Sequence, residues 1–167
     1  MNALLTSCLL AAGLILGQAA FAQAPAPAVT SKLVAQRIDA SGKAVAAEAG
    51  KPGDLVEYSA IYRNSGAKGV DKLVATIPVP AGTTFVAGST APAKAQASTD
   101  GVRFAAIPLM RAVRQPDGTV REEPVPLADY RFVRWELGTL AIGADATVKL
   151  RVQIDSTVAA AASAARP

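Results

Sequence analysis

Hydrophobic and polar residues alternate with a period of two through much of the chain. In ATVKLRVQI (146–154), every second residue from Val148 to Ile154 is apolar, and the residues between them are polar. LVEYSAIYR (55–63) and RFVRWELG (131–138) alternate in the same way. Successive side chains of a β-strand point to opposite faces, so this period predicts half-buried strands rather than helices of normal length.

Turn-forming residues separate the apolar stretches, at 51–54, 64–66, 80–82, 100–101, 116–118 and 143–145. Three further strands with less regular alternation are predicted in KLVAQRI (32–38), VDKLVATI (70–77) and VRFAAIPLM (102–110), the last cut short by Pro108. Short strands at this spacing predict an all-β fold, an Ig-like antiparallel two-sheet β-sandwich of about seven or eight strands over residues 32–155.

Two prolines, Pro78 and Pro80, interrupt the apolar segment IPVPAGTTFVAGS (77–89). Proline has no backbone N–H to donate to a sheet, so it is confined to strand ends and sheet edges. We therefore expect a strand to leave its sheet here, turn at Pro80-Ala81-Gly82 and resume as TTFVAGS, with Phe85 entering the core. The prolines also protect an exposed edge from pairing with other chains.

The alternating faces predict which side chains fill the core. Trp135 is interpreted as its central residue, with a ligand contact as the alternative. Tyr58 and Tyr62 are interpreted as core residues whose hydroxyl groups form hydrogen bonds at the end of the sheet, with a stacking platform as the alternative. The residues expected to be buried together are Val56, Tyr58, Phe85, Trp135, Val148 and Leu150.

Several motifs follow one another in a recognisable order: K-P-G-D (51–54), N-S-G (64–66), P-A-G (80–82) with Phe85 and Gly88-Ser89, and W-x-x-G-x-L (135–140). This order resembles the Ig-like modules called domain of unknown function family eleven, over about residues 32–155. The resemblance implies an envelope or secreted protein and no particular activity. Ile77 departs from the pattern, because the family usually has an acidic residue before P-A-G, and Pro78 is also unusual. Family members are often tandem repeats, whereas this chain has a single copy.

The first 22 residues contain no charged side chain. LLTSCLLAAGLIL (4–16) is apolar, and Ala20-Phe21-Ala22 supplies small residues at a cleavage position. These features predict a signal peptide over 1–22, export to the periplasm or exterior of a Gram-negative-like envelope, and no membrane span after cleavage. Lipidation at Cys8, which ends the lipobox-like LTSC, is the alternative. A Pro/Ala-rich leader (23–31) and an Ala-rich tail (156–167) flank the domain.

The chain lacks the side chains that several chemistries require. It has no histidine, and its only cysteine, Cys8, leaves with the signal peptide. Ser-His-Asp and Cys-His mechanisms and imidazole or thiolate metal sites are therefore excluded, and no cofactor or metal is predicted. Glu122 and Glu123 are adjacent and fall on opposite faces of a strand. QPDGTVREE (115–123) has three acids without the spacing of calcium ligands, and Asp100 and Asp117 precede glycines as turn formers.

The charged residues give little information about partners. The net charge is +4, which favours solubility without specifying a ligand. The arginines between 103 and 134 are interspersed with acids and lack a nucleic-acid motif, so no nucleic acid is expected as a partner. We interpret them as a solvated face, with an anion-binding surface as the alternative.

The segment from Leu109 to Asp129 is the longest connection between the strands with regular alternation. Its polar centre, RQPDGTVREE (114–123), turns at Pro116-Asp117-Gly118 and predicts a projecting hairpin arm. Loops on a rigid sandwich commonly carry recognition. The predicted contacts to an envelope protein or another anionic surface component are Arg111, Arg114, Asp117 and Arg121, and an insertion without a ligand is the alternative.

The sequence thus favours an exported, non-catalytic module with a structural or protein-interaction role. A carboxylate-based periplasmic enzyme and a periplasmic carrier or chaperone are the alternatives. A carrier requires a large cavity, whereas the regular alternation predicts a filled core.

Export should remove the first 22 residues. The mature protein should begin at Gln23, because Ala20 and Ala22 present the small side chains that signal peptidase recognises. Intact-mass measurement of the exported protein tests this. A lipid-modified Cys8 or an uncleaved N-terminus would contradict it.

Overall fold

The computed structural model describes residues 28–46 and 50–156. Within them strands dominate, and a short 3-10 helix spans Leu127–Asp129. The strands in chain order are β1 (Val29–Ile38), β2 (Ala44–Ala46), β3 (Leu55–Asn64), β4 (Val70–Pro78), β5 (Thr83–Phe85), β6 (Gln96–Ser98), β7 (Ala105–Ala106), β8 (Met110–Arg114), β9 (Val120–Pro124), β10 (Phe132–Leu140) and β11 (Asp145–Ile154).

Two antiparallel sheets face each other and confirm the predicted all-β two-sheet sandwich. One sheet has the order β2-β1-β3-β11-β5 and the other the order β4-β10-β6-β7, while β8 and β9 form a separate hairpin. The two large sheets contain nine strands rather than the seven or eight expected. The strands that the sequence did not predict are β2 and β6, which have three residues each. Segments this short cannot show alternation in the sequence.

The core lies between the inner faces of β10 and β11 and their neighbours. Val148, Leu150 and Val152 of β11 are fully buried, as are Val133 and Trp135 of β10. The indole Nε1–H of Trp135 donates a hydrogen bond of 2.9 Å to the carbonyl oxygen of Pro92. The predicted central position of Trp135 is therefore confirmed, and its one polar atom is satisfied inside the core.

One predicted core residue, Tyr58, is only half-buried and packs at the margin of the core. Tyr58 lies opposite Ala35 of β1 in the five-stranded sheet. The facing sheet has only four strands and therefore covers this side of the five-stranded sheet incompletely. The same difference in width leaves Leu33 of β1 53% exposed. Neither Tyr58 nor Tyr62 forms a hydroxyl hydrogen bond to another described residue, so the expected hydrogen bonds of their hydroxyl groups stay a prediction.

The proline pair marks the point where the chain changes sheets. β4 is an edge strand of the four-stranded sheet and ends at Pro78, while β5 pairs with β11 in the opposite sheet. The backbone N–H of Thr83 donates to the carbonyl oxygen of Pro80 at 3.2 Å, which closes the turn. Phe85 then enters the core with 1% exposure. The predicted exit, turn and return are confirmed, and the structure adds that the return is to the other sheet.

Asn64 joins three chain segments at one end of the sandwich. Its side-chain amide donates to the carbonyl oxygens of Lys68 at 2.9 Å and Leu140 at 3.0 Å. Its Oδ1 accepts the backbone N–H of Gly66 at 3.0 Å. This fully buried amide thereby connects the end of β3, the β3–β4 loop and the end of β10.

Polar residues on the outer face of the five-stranded sheet form ion pairs. Glu57 accepts from Arg151 at 2.9 Å and Lys149 at 3.2 Å. Partial burial of Glu57 acts to raise its pKa, but the hydrogen bonds from Arg151 and Lys149 outweigh burial and hold the pKa below its ordinary value.

The domain boundaries differ slightly from those expected. β1 begins at Val29, three residues before the predicted domain start, and β7 ends at Ala106, before Pro108. The predicted signal peptide, most of the leader and the tail beyond Ser156 lie outside the described residues. In the described part of the chain, no helix has the length and apolar character needed to cross a membrane.

Replacing Trp135 with alanine should destabilise the fold by about 3–5 kcal/mol, because a buried aromatic ring is lost and a cavity remains. Chemical denaturation measures this. Val102→Ala, at a residue 80% exposed, is the control and should change stability by less than about 0.5 kcal/mol. Emission from the wild-type indole typical of exposure to water would contradict the placement of Trp135.

Candidate partner-binding surface

The segment predicted to project from the sandwich is the β8–β9 hairpin. Its strands pair from Met110 opposite Pro124 to Arg114 opposite Val120. The turn is closed by the N–H of Gln115, which donates to the carbonyl oxygen of Thr119 at 2.8 Å, and Gly118 takes a positive φ of 86° there. We call residues 110–124 the arm, and its hairpin form confirms the sequence prediction.

The base of the arm is fixed to the core by Tyr130. The Tyr130 hydroxyl accepts the backbone N–H of Leu109 at 2.7 Å, and the N–H of Val125 donates to the carbonyl oxygen of Leu109 at 2.8 Å. The Tyr130 ring is fully buried and stacks on Phe85 with centroids 5.5 Å apart. The arm therefore leaves the sandwich from a defined position and direction.

The four predicted contact residues do not share one face of the arm. Arg111 lies opposite Glu123 and Arg121 opposite Val113, and this register places both arginines on one face. Arg114 lies on the other face, together with Glu122. Glu122 and Glu123 thus point to opposite sides, as the sequence predicts.

Asp117 belongs to the turn of the arm. Its Oδ1 accepts the Thr119 hydroxyl at 2.6 Å and the Thr119 backbone N–H at 2.9 Å. These bonds, the hydroxyl first, lower the pKa of Asp117. The carboxylate shapes the turn, which agrees with the interpretation of this Asp-Gly pair as a turn former.

The arginines of the arm differ in their surroundings from others nearby. Arg134 donates to Oε1 of Gln96 at 2.6 Å and its guanidinium lies 4.0 Å from the centroid of the Phe104 ring. Arg131 donates to the carbonyl oxygen of Ala128 at 2.8 Å. Among the described residues, none of the arm's three arginines takes part in an ion pair. Their guanidinium groups are exposed to solvent.

A groove opens at the base of the arm, beside β7. Its volume is about 240 Å³, and sequence reasoning did not anticipate it. Apolar side chains from the loop, from β8 and from the segment after β9 line it, and we call them its floor. Two arginines and one aspartate also line it, and we call them its rim. The residues that line it include Asp100, Arg103, Phe104, Leu109, Met110, Arg111 and Val125.

Asp100 organises the loop on one side of this groove. Its Oδ1 accepts the backbone N–H groups of Arg103 at 2.8 Å and Val102 at 2.9 Å, and the Ser98 hydroxyl at 2.9 Å. Its Oδ2 accepts Nε of Arg103 at 3.1 Å. These bonds, led by the Arg103 N–H, hold the pKa of Asp100 well below its ordinary range. Asp100 is therefore a structural residue that positions Arg103.

The carboxyl groups with shifted pKa values lie in separate parts of residues 28–46 and 50–156. These residues contain no group of three or more histidine, cysteine, aspartate or glutamate side chains able to hold a metal ion. Each carboxyl group with a shifted pKa is occupied by its own turn or ion pair. The Asp39 carboxylate, for example, accepts the Ser41 hydroxyl at 2.6 Å, the main cause of its lowered pKa.

Comparison of the chain with protein-family models, curated proteins and solved structures finds no match. The resemblance to domain of unknown function family eleven stays a prediction. The arm and the groove therefore have to be interpreted from their own geometry.

Removing the hydroxyl group of Tyr130 should loosen the base of the arm. Tyr130→Phe keeps the stacked ring but leaves the buried N–H of Leu109 without its acceptor, which should cost about 1–3 kcal/mol. Urea denaturation and amide hydrogen exchange across the arm measure the effect. Tyr58→Phe is the matched control, and equal stability of the two variants would contradict this role of the hydroxyl.

Proposed function

We propose that the protein is an exported, non-catalytic Ig-like module of the periplasm or cell exterior, and that its arm binds another envelope protein. The signal-like N-terminus supports export. The observation that carries the binding role is the anchoring of the arm, whose base is held by a buried tyrosine while its strands and turn project from the sandwich.

The anchored base of the arm favours a role in binding a partner protein over the alternative of an insertion without a ligand. A flexible loop loses conformational entropy when a partner orders it, whereas a hairpin with a fixed base has already lost much of that freedom. The Gln115–Thr119 and Asp117–Thr119 hydrogen bonds order the distal end as well. The arm is thus prepared to present side chains in a defined arrangement.

The face with Arg111 and Arg121 is the proposed contact surface. Its one acidic residue is Glu123, so this face is net positive, whereas Arg114 and Glu122 balance each other on the opposite face. Guanidinium groups form paired hydrogen bonds with carboxylates and phosphates. The same face adjoins the groove, because Arg111 also lines it. An acidic surface on the partner fits these features.

Shortening the arm should abolish partner binding without unfolding the sandwich. The test replaces residues 112–122 with a short Gly-Ser linker and compares recovery of envelope proteins from an envelope extract with that of the wild type. The double variant Arg111→Ala/Arg121→Ala should also lose the partner. Arg114→Ala is the matched control and should retain it.

Fluorescence of the buried Trp135 verifies that each variant is folded. Recovery of the same proteins by the folded linker variant and the wild type would exclude the arm as the binding site. Failure of the wild type to retain any envelope protein would contradict the binding role itself.

A further inference from the structure

We infer that the groove at the base of the arm binds an extended acidic segment of a partner protein and accepts one of its large apolar side chains. This inference rests on the proposed binding role of the arm and names the chemistry that the same surface recognises. It is carried by the combination of an apolar floor, a basic rim and an open sheet edge.

The floor of the groove is apolar and partly exposed. Phe104 and Val125 are half-buried, Leu109 is buried, and Met110 is 50% exposed. Covering these side chains with an apolar group removes their surface from water, which is favourable. A volume of about 240 Å³ is below the roughly 300–1,000 Å³ of most small-molecule sites, so one side chain suits it better than a separate ligand.

The rim selects an acidic occupant. Arg103 and Arg111 line the groove, and Asp100 is the one acidic residue among the lining side chains. Both oxygens of Asp100 accept hydrogen bonds from its own loop. The Arg103 side chain is 92% exposed and is bound to Asp100 through Nε alone. Its terminal guanidinium nitrogens form no hydrogen bond to another described residue and are open to an incoming carboxylate.

The neighbouring sheet edge suits an extended backbone. β7 is the last strand of the four-stranded sheet and pairs with β6 on one side. Ala105 and Ala106 of β7 are both exposed, and Ala105 also lines the groove. A partner segment in β conformation can pair with this edge while alternate side chains point into the groove, as in other cases of strand addition.

The probes are four fluorescein-labelled octapeptides, each with Phe, Trp, Tyr or Leu between an aspartate and a glutamate. Fluorescence anisotropy of their mixtures with the whole protein should show saturable binding by at least one probe. Replacing both acids of that probe with lysine, or its apolar residue with serine, should weaken binding by at least about tenfold.

Two variants locate the binding to the groove. Arg103→Glu/Arg111→Glu should reduce affinity at least about tenfold. Arg114→Glu/Lys68→Glu changes the net charge equally but involves neither a groove-lining residue nor the Arg111–Arg121 face, so it should bind the probe nearly as well as the wild type. Ala105→Trp changes no charge and fills the groove, and it should also abolish binding.

The binding of acidic peptides by the groove and the proposed function of the arm can each be contradicted without the other. The following outcomes concern the groove inference first. It is overturned if no probe binds the wild type up to about 1 mM, if both charge variants lose binding equally, or if Ala105→Trp binds normally. Loss of the envelope partner by the linker variant, without probe binding, would leave the proposed function standing. Probe binding that depends on the groove, with no effect of the linker on partner recovery, would overturn the proposed function alone.

Discussion

Burial of the inner faces of β10 and β11 against each other is the constraint on which the rest of the structure depends. The chain has one cysteine and therefore no internal disulfide, so its stability has to come from this core. Trp135 and Leu150 are the largest buried apolar residues of β10 and β11, each with 1% exposure or less. At about 25 cal/mol per Å² of buried apolar area, residues of this size dominate the favourable free energy of folding.

Polar groups inside and around the core determine its particular geometry. The Trp135 indole, the Asn64 amide and the Tyr130 hydroxyl each form a specific hydrogen bond to a backbone group distant in sequence. Within the described ranges, no buried side-chain nitrogen or oxygen lacks a partner. Leaving such a group unpaired costs more than its bond contributes, so these residues fix the segments that they contact.

The arm and the groove depend on this rigid support. Tyr130 stacks on Phe85 of the five-stranded sheet and accepts a hydrogen bond from Leu109, which precedes β8. The orientation of the arm is therefore coupled to the core rather than to the flexibility of a loop. Arg103 and Arg111 meet at the groove because the Asp100 loop and the start of β8 are held side by side.

The sequence by itself determined the all-β class, the strands β3, β10 and β11, the exit of the chain at Pro78 and the hairpin form of the arm. These follow from alternation and turn chemistry, which act between residues close in the chain. The tertiary structure alone decided the sheet order, the separation of Arg111 from Arg114 on opposite faces, the anchoring by Tyr130 and the existence of the groove. These depend on register and on contacts between distant segments, which local patterns do not encode.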